Sequence, residues 1–533
     1  MAEIRRTGRS AAPGIAFGTL YVLRTKASRE RAAGSPREED EALTVAIGAA
    51  RDELVGLVAG ADTQAGEILA FQVAMLEDEE LVASAKADIA AGTAADIAWH
   101  RNMDIQIAEY ATSDDEYFRA RASDLTDIRD RVLRHFNGAA VEALPEGAVI
   151  AAEDFTPSRF LSHDWRKGGA LALTKGSPTS HVAMLARARH IPMVVGLDFD
   201  IAKLVAGREA IVDGEKGVVV LDPEPATCGA ARRQLDADVQ AESEAAAYAR
   251  RKAVTVDGTP VTMLINIATP EELNGLDPEI CDGIGLVRTE LLFHSDRGLP
   301  DEEQQYAVYR RILAWAAGRP VIVRTLDAGG DKPIAGLTRD GETNPFLGLR
   351  GLRLSLTRPD VFRVQLRALC RAAAEGELKI MLPMVTVPGE LEEAQRHLGS
   401  VAAELAAAGI PHRKPPLGIM VEVPSAALTP ERFPAAFFSI GSNDLTQYVM
   451  AAARDLDSVA ALANVADPAM LGLIANVTRH GELVGIEVSL CGDAASVPEI
   501  VPLLLRAGLR RLSASPGAIG RVKAAIAALD LRM

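Results

Sequence analysis

Residues 417–444 read LGIMVEVPSAALTPERFPAAFFSIGSND, and this stretch decides the fold. Two short apolar runs, LGIMV and FFSI, each give way to polar groups, Glu422 after the first and Asn443-Asp444 after the second. A run that is apolar throughout is a strand covered on both faces, as in parallel sheets wrapped by helices. Working outward, the same texture recurs at 261–268 (VTMLINIA), 283–290 (GIGLVRTE), 320–327 (PVIVRTLD), 378–385 (LKIMLPMV), 417–424, 437–444, 484–493 (VGIEVSLCGD) and 509–517 (LRRLSASPG). Helix-like segments separate most of these runs. Eight such units predict a (β/α)8 barrel over 254–533, with a doubly wound open sheet as the competing arrangement.

Toward the N-terminus the texture changes twice. Residues 14–23 (GIAFGTLYVL) read as a strand, and from 38 to 135 apolar residues recur at helical spacing with no proline between 37 and 141. After Pro145 come short apolar runs with Gly and Pro between them: AVIAAED, ALALTKG, PMVVGL, AIVDG and VVVLDP. The reading is an α/β multidomain chain. Residues 1–27 and 138–225 form one α/β domain, 28–137 a helical bundle inserted in it, and 226–253 a solvated linker helix leading to the barrel.

Bulk properties narrow the function. The 533 residues carry a formal charge of −16, which argues against nucleic acid as a partner and requires any anionic substrate to be held by a local cation cluster. Cys228, Cys281, Cys370 and Cys491 form no CxxC pair, as suits a reducing compartment. No apolar run is long enough to span a bilayer, and Arg5, Arg6 and Arg9 are not followed by a signal-type apolar stretch. The expectation is a cytoplasmic protein without membrane insertion.

A barrel places its chemistry at the C-terminal ends of its strands. There stand Arg288-Thr289-Glu290, Arg324-Thr325-Leu326-Asp327, Glu422, Asn443-Asp444 and Cys491-Gly492-Asp493. Arg288 and Arg324 offer planar forks for phosphate or carboxylate oxygens. Glu422 and Asp444 are hard oxygen donors of the kind that hold Mg2+ together with substrate oxygens. Cys491 is either a proton donor to an enolate carbon or a small buried apolar residue. Lys332, after Gly329-Gly330-Asp331, adds a cation on a flexible loop. In the other half, Thr179-Ser180-His181 precedes VAMLARARH, so Thr179 or Ser180 caps a helix and His181 lies in its first turn, where an anion is favoured. A histidine that only packs or caps is the plainer reading of His181 taken alone.

Taken in order, AAPGIAFG near the N-terminus, AAEDFTPS at 151–158, TSHVAMLAR at 179–187, GIGLVRTELLF at 283–293, VIVRTLDAGGDK at 321–332, NPFLGLRGLR at 344–353, FFSIGSNDLTQY at 437–448 and LCGD at 490–493 resemble the enzyme I family of the phosphoenolpyruvate (PEP)-dependent sugar phosphotransferase system. The resemblance runs along nearly the whole chain. It implies a swivelling domain in which His181 takes a phosphoryl group from PEP, releasing pyruvate, and passes it to the phosphocarrier HPr or a similar protein. Arg288, Arg324, Arg350, Lys332, Asn443 and Arg454 match substrate-binding positions, Glu422 and Asp444 match Mg2+ ligands, and Cys491 matches the thiol that protonates the enolpyruvate. The bundle matches the HPr-docking part, and the barrel matches the half through which a homodimer forms. Pyruvate phosphate dikinase and PEP synthase share the phosphohistidine domain and barrel but add an ATP-binding domain, for which no room is expected here.

Three segments depart from that pattern: Gly176-Ser177-Pro178 where Gly-Gly-Arg is usual, Asp455-Leu456 where Gly-Asn is usual, and 493–497 after Cys491-Gly492. They keep a catalytically weakened regulatory homologue in view as an alternative. A Mg2+-dependent aldolase or lyase acting on a pyruvate enolate is the other, since the barrel residues would serve it too.

Overall fold

In the N-terminal part, short apolar runs, several of them buried along their whole length, pair into one sheet. A computed structural model describes residues 3–532 apart from 25–32, 59–62, 113–115, 137, 139–142, 179, 294–297, 331, 333, 335, 340, 454, 455 and 457. Its strands there are β1 (Ile4–Thr7), β2 (Arg9–Ala12), β3 (Ile15–Val22), β4 (Val149–Ala152), β5 (Ala170–Leu173), β6 (Met193–Val195), β7 (Glu209–Asp213) and β8 (Val218–Leu221). They are ordered β1-β8-β7-β3-β4-β5-β6-β2. Leu20–Val22 of β3 run parallel to Val149–Ala151 of β4, so the chain leaves the sheet after β3 and returns beside the same strand.

Between those two strands lie five helices: α1 (Pro36–Val58), α2 (Thr63–Leu76), α3 (Glu79–Ala90), α4 (Ala95–Ala111) and α5 (Glu116–Phe136). Their apolar faces close on a core of Leu43, Leu54, Leu69, Ile89, Trp99, Met103, Leu125 and Ile128. Buried Asp127 of α5 stitches the bundle to helix α6 (Pro157–Ser162), accepting from Ser158 N at 3.0 Å and Ser158 Oγ at 2.7 Å. The buried carboxylate thereby satisfies a donor at the helix start. Helix α7 (His181–Ala188) follows β5.

The first compact unit is Met1–Asp238 and the second Val239–Met533. Helix α8 (Pro225–Ala249) runs across that boundary, and Ala245 is its one buried residue. No helix is long and apolar enough to cross a membrane among the described residues.

In the second unit, β9 (Ala253–Val254) pairs antiparallel with β10 (Pro260–Ile267). Then come β11 (Ile284–Val287), β12 (Val321–Arg324), β13 (Leu378–Leu382), β14 (Leu417–Val421), β15 (Phe437–Ile440), β16 (Glu487–Leu490) and β17 (Arg511–Ala514). Strands β10 to β17 are all parallel, and β10 pairs with both β11 and β17, so the sheet closes. The barrel excludes the open-sheet alternative. Alternate strand residues split into two cores: Ile284, Val321, Val323, Ile380, Ile419 and Phe438 join the large cluster shared with the helices. Leu286, Ile322, Met381, Met420, Phe437 and Cys491 form a separate small cluster that fills the barrel. The interior is tight: a Cβ on Gly418 would meet the Phe437 ring at 2.5 Å.

Candidate active site

Strands β11, β12, β14 and β16 end at, or one residue before, the polar tails read from the sequence. Arg324 is the last residue of β12, while Arg288, Glu422 and Cys491 stand one residue beyond β11, β14 and β16. Asp444 lies in the first turn of helix Ser442–Met450, directly after β15. Arg350 comes from the loop before helix Leu352–Thr357 and is fully buried.

The cations are gathered by carboxylates. Arg350 Nη2 donates to both oxygens of Asp327, at 3.1 and 3.0 Å, and its Nη1 donates to Asp444 Oδ1 at 3.2 Å. Arg324 Nη1 lies 3.2 Å from Asp327 Oδ2, and Nη2 donates to Glu290 Oε1 at 3.0 Å. Lys332 Nζ lies 3.5 Å from Asp327 Oδ2 and 3.9 Å from Glu290 Oε2. Burial works against the charge of Asp327, but Arg324, Arg350 and Lys332 outweigh it and hold its carboxyl well below the usual range. Both arginines are likewise held charged by these carboxylates against the cost of burial. Nε of Arg324 and Nε of Arg350 are buried without a hydrogen-bond partner, so each guanidinium keeps a donor unspent.

Two other sequence-predicted residues form a second cluster. Asn443 Nδ2 donates to Asp493 Oδ2 at 2.8 Å, and Asp493 N donates back to Asn443 Oδ1 at 3.0 Å. Arg288 Nη2 lies 3.8 Å from Asp493 Oδ1, with 40% of its side chain exposed. Cys491 connects the clusters: its Sγ donates to Ile440 O at 3.7 Å, and the thiol feels both Arg324 and Arg288. Burial pushes that thiol up to about 11, so it carries its proton at neutral pH. Arg454 lies outside the described residues, as do Thr179, Asp331 and Asp455.

Glu422 is buried, and its Oε1 accepts from Met384 N at 2.7 Å. Burial, then the neighbouring charges of Asp444 and Asp327, push its carboxyl up despite Arg324 and Arg350. Beside it Gly441 leaves room, since a Cβ there would stand 2.9 Å from Glu422 Oε2. Among the described residues no group of three His, Cys, Asp or Glu side chains gathers to hold a metal. The donor set is therefore a mutually repelling pair of carboxylates. That fits a hard divalent cation which takes the rest of its oxygens from substrate and water.

In the N-terminal unit, Ser180 caps α7, its Oγ accepting from Ala183 N at 3.3 Å, which makes His181 the first helical residue. The His181 side chain is 11% exposed. Its Nδ1 lies 3.1 Å from Asp124 Oδ1 and 3.0 Å from Asp124 Oδ2, on α5 of the bundle. Arg121 Nη1 stands 3.3 Å from the same carboxylate. A carboxylate only accepts, so in the neutral ring Nδ1 bears the proton and Nε2 the lone pair. Sequence reasoning missed Asp124, which lies in the charged helical run RASDLTDIRDR with nothing to single it out. It also passed over Glu290 and Asp327 as site residues, although both stood in the strand tails that it quoted.

Known proteins resemble this chain along most of its length. Residues 242–531 match the model of the PEP-utilising enzyme PEP-binding domain, 7–121 that of the PEP-utilising enzyme N-terminal domain, and 144–217 that of the PEP-utilising enzyme mobile domain. The phosphoenolpyruvate-protein phosphotransferase of Bacillus sp. (strain S) is 36% identical, covering 96% of this chain and 91% of its own length. That of Geobacillus stearothermophilus is 37% identical with the same coverage. That of Haloferax volcanii is 40% identical over 77% of this chain and 73% of its own.

Proposed function

This chain belongs to the PEP-utilising enzymes, and from that membership we propose that it is a phosphoenolpyruvate-protein phosphotransferase whose His181 carries the phosphoryl group. The observation that carries the reading is the pairing, in one chain, of a capped histidine with its Nε2 lone pair available and a barrel mouth of buried arginines, carboxylates and a protonated thiol. Arg288, Arg324, Arg350, Lys332, Asn443 and Arg454 bind and orient PEP. Nε2 of His181 attacks phosphorus, the bond from phosphorus to the enol oxygen breaks, and the enolate leaves. The Sγ–H of Cys491 gives its proton to the terminal enolate carbon, pyruvate departs, and the thiolate regains a proton from water. Phosphoryl transfer of this kind asks for in-line placement and charge neutralisation more than for covalent help.

The family uses a divalent metal, here taken as Mg2+. Glu422 and Asp444 would hold it, and it would supply further charge neutralisation at the phosphate. The phosphoryl group then passes to an HPr-like carrier docking on the bundle at 28–137, beside the phosphohistidine domain of 1–27 and 138–225. The linker at 226–253 lets that domain change partners, and the barrel at 254–533 provides the homodimer contact. We take the setting to be cytoplasmic, as suits four cysteines that form no CxxC pair.

Incubation with PEP labelled on phosphorus and Mg2+ tests the assignment. Wild-type protein is expected to take up acid-labile, base-stable label, and His181→Ala to take up none. An unlabelled wild type would defeat the reading.

A further inference from the structure

Three cations meet on one carboxylate. Asp327, fully buried, binds Arg350 through both oxygens at 3.1 and 3.0 Å and touches Arg324 at 3.2 Å and Lys332 at 3.5 Å through Oδ2. Glu290 pairs with Arg324 and Lys332 and also accepts from Asp327 N at 3.3 Å, while Asp444 pairs with Arg350. Among the described residues, Asp327 is therefore the ion-pair partner that the two arginines share. Like charges this close repel, and low-dielectric surroundings make the repulsion larger. A common anion between them fixes both their separation and the direction of their forks.

We propose that Asp327 is the positioning residue of the PEP site, a role that rests on the phosphotransferase reading above. It does not touch the substrate, because a buried carboxylate facing a phosphate or a carboxylate would repel it. Its oxygens are already taken up by cations, and a Cβ on Gly351 would crowd Oδ1 at 3.2 Å. Both heads are held through their Nη edges, with Asp327 on each of them, Glu290 also on Arg324, and Asp444 and Tyr448 also on Arg350. The site is thereby assembled before substrate arrives.

Asp327→Asn keeps the shape and removes the charge, so the mouth gains one unit of positive charge while its forks lose their common reference. In full-length protein, the rate of His181 labelling is expected to fall about 100-fold, the cost of misplacing reacting groups. The KM for PEP should fall about threefold or more, because an anion meets a more positive site. The label per chain at completion should match wild type. A purely structural role would lower the final label and leave KM alone. A rate within about threefold of wild type, a KM that rises, or a reduced end-point would each overturn the proposal. Should the single variant fail to fold, the same step in a Lys332→Met background restores the charge count. Against Lys332→Met alone it must again slow labelling without reducing the end-point, and failure there overturns the role. Wild type run in parallel separates the two claims, since a labelled wild type with unimpaired Asp327→Asn removes only the positioning role.

Discussion

A neutral imidazole is a nucleophile through the nitrogen that keeps its lone pair, so with His181 as the proposed acceptor, its Asp124 partner would set which nitrogen attacks. Asp124→Asn weakens the preference for the Nδ1-protonated tautomer. The rate of His181 labelling by PEP is expected to fall on the order of 10²-fold, with the KM for PEP unchanged because the barrel is untouched. In the proposed mechanism Cys491 follows the opposite logic, as an acid that must hold its proton. Burial raises its thiol to about 11, so it stays protonated until the pH nears that value. Pyruvate release should show no thiol-dependent loss below about pH 10, and Cys491→Ala should slow release by about 10²-fold across that range. Pyruvate assays on both proteins from pH 6 upward check this. At this scale the sequence was legible wherever a polar residue interrupted an apolar run, as at Arg324, Glu422 and Cys491. Arg350 emerged only through resemblance, and the importance of Asp327 depends on Arg350, which is close in space but not in the reading of either strand. Asp124 was hidden among like neighbours on a charged helix.

Elements hold these residues by their ends. Helix α7 begins at His181 because Ser180 turns its hydroxyl onto Ala183 N. Removing that cap in Ser180→Ala should cost about 1 kcal/mol of stability and leave the histidine at a frayed end. Denaturant unfolding reads the first effect, and slower His181 labelling with unchanged PEP KM reads the second. In the barrel, the strands are shorter than the apolar runs suggested: β16 is Glu487–Leu490 within the expected 484–493, and β11 is Ile284–Val287 within 283–290. The polar tails leave the ladder to form turns and helix starts. Cα packing permits it at Gly492, where a Cβ would stand 1.8 Å from Ser442 Oγ, at the start of the helix carrying Asn443 and Asp444. The eight-unit rhythm was plain because β11, β12, β14 and β15 are buried along their whole length and the other strands keep a largely apolar run. Strands β1 and β2 were not foreseen, since IRRT and RSAA carry no such run and gain their pairing from β8 and β6, distant in sequence.

Over the whole molecule, the residues proposed for the two halves of the reaction are divided between two compact units. His181, Asp124 and the bundle belong to Met1–Asp238, whereas the arginines, Glu422, Asp444 and Cys491 belong to Val239–Met533. In the proposed reaction, charging of His181 draws on both sets of residues. Discharge to a carrier is expected to need only the first, because the phosphoryl group is by then covalently held. Glu422 and Asp444, the carboxylates proposed to hold the divalent ion, both lie in the second unit. Chelation should therefore separate the half-reactions. Treatment with EDTA is expected to abolish uptake of label from PEP by at least about 10²-fold, the loss of a principal charge-neutralising group. Protein labelled beforehand, then stripped of metal, should still hand its label to an HPr-like carrier at close to the untreated rate. If chelation slowed both steps alike, the division of labour drawn from the placement of these residues would be wrong, and the metal would have to act at the histidine as well.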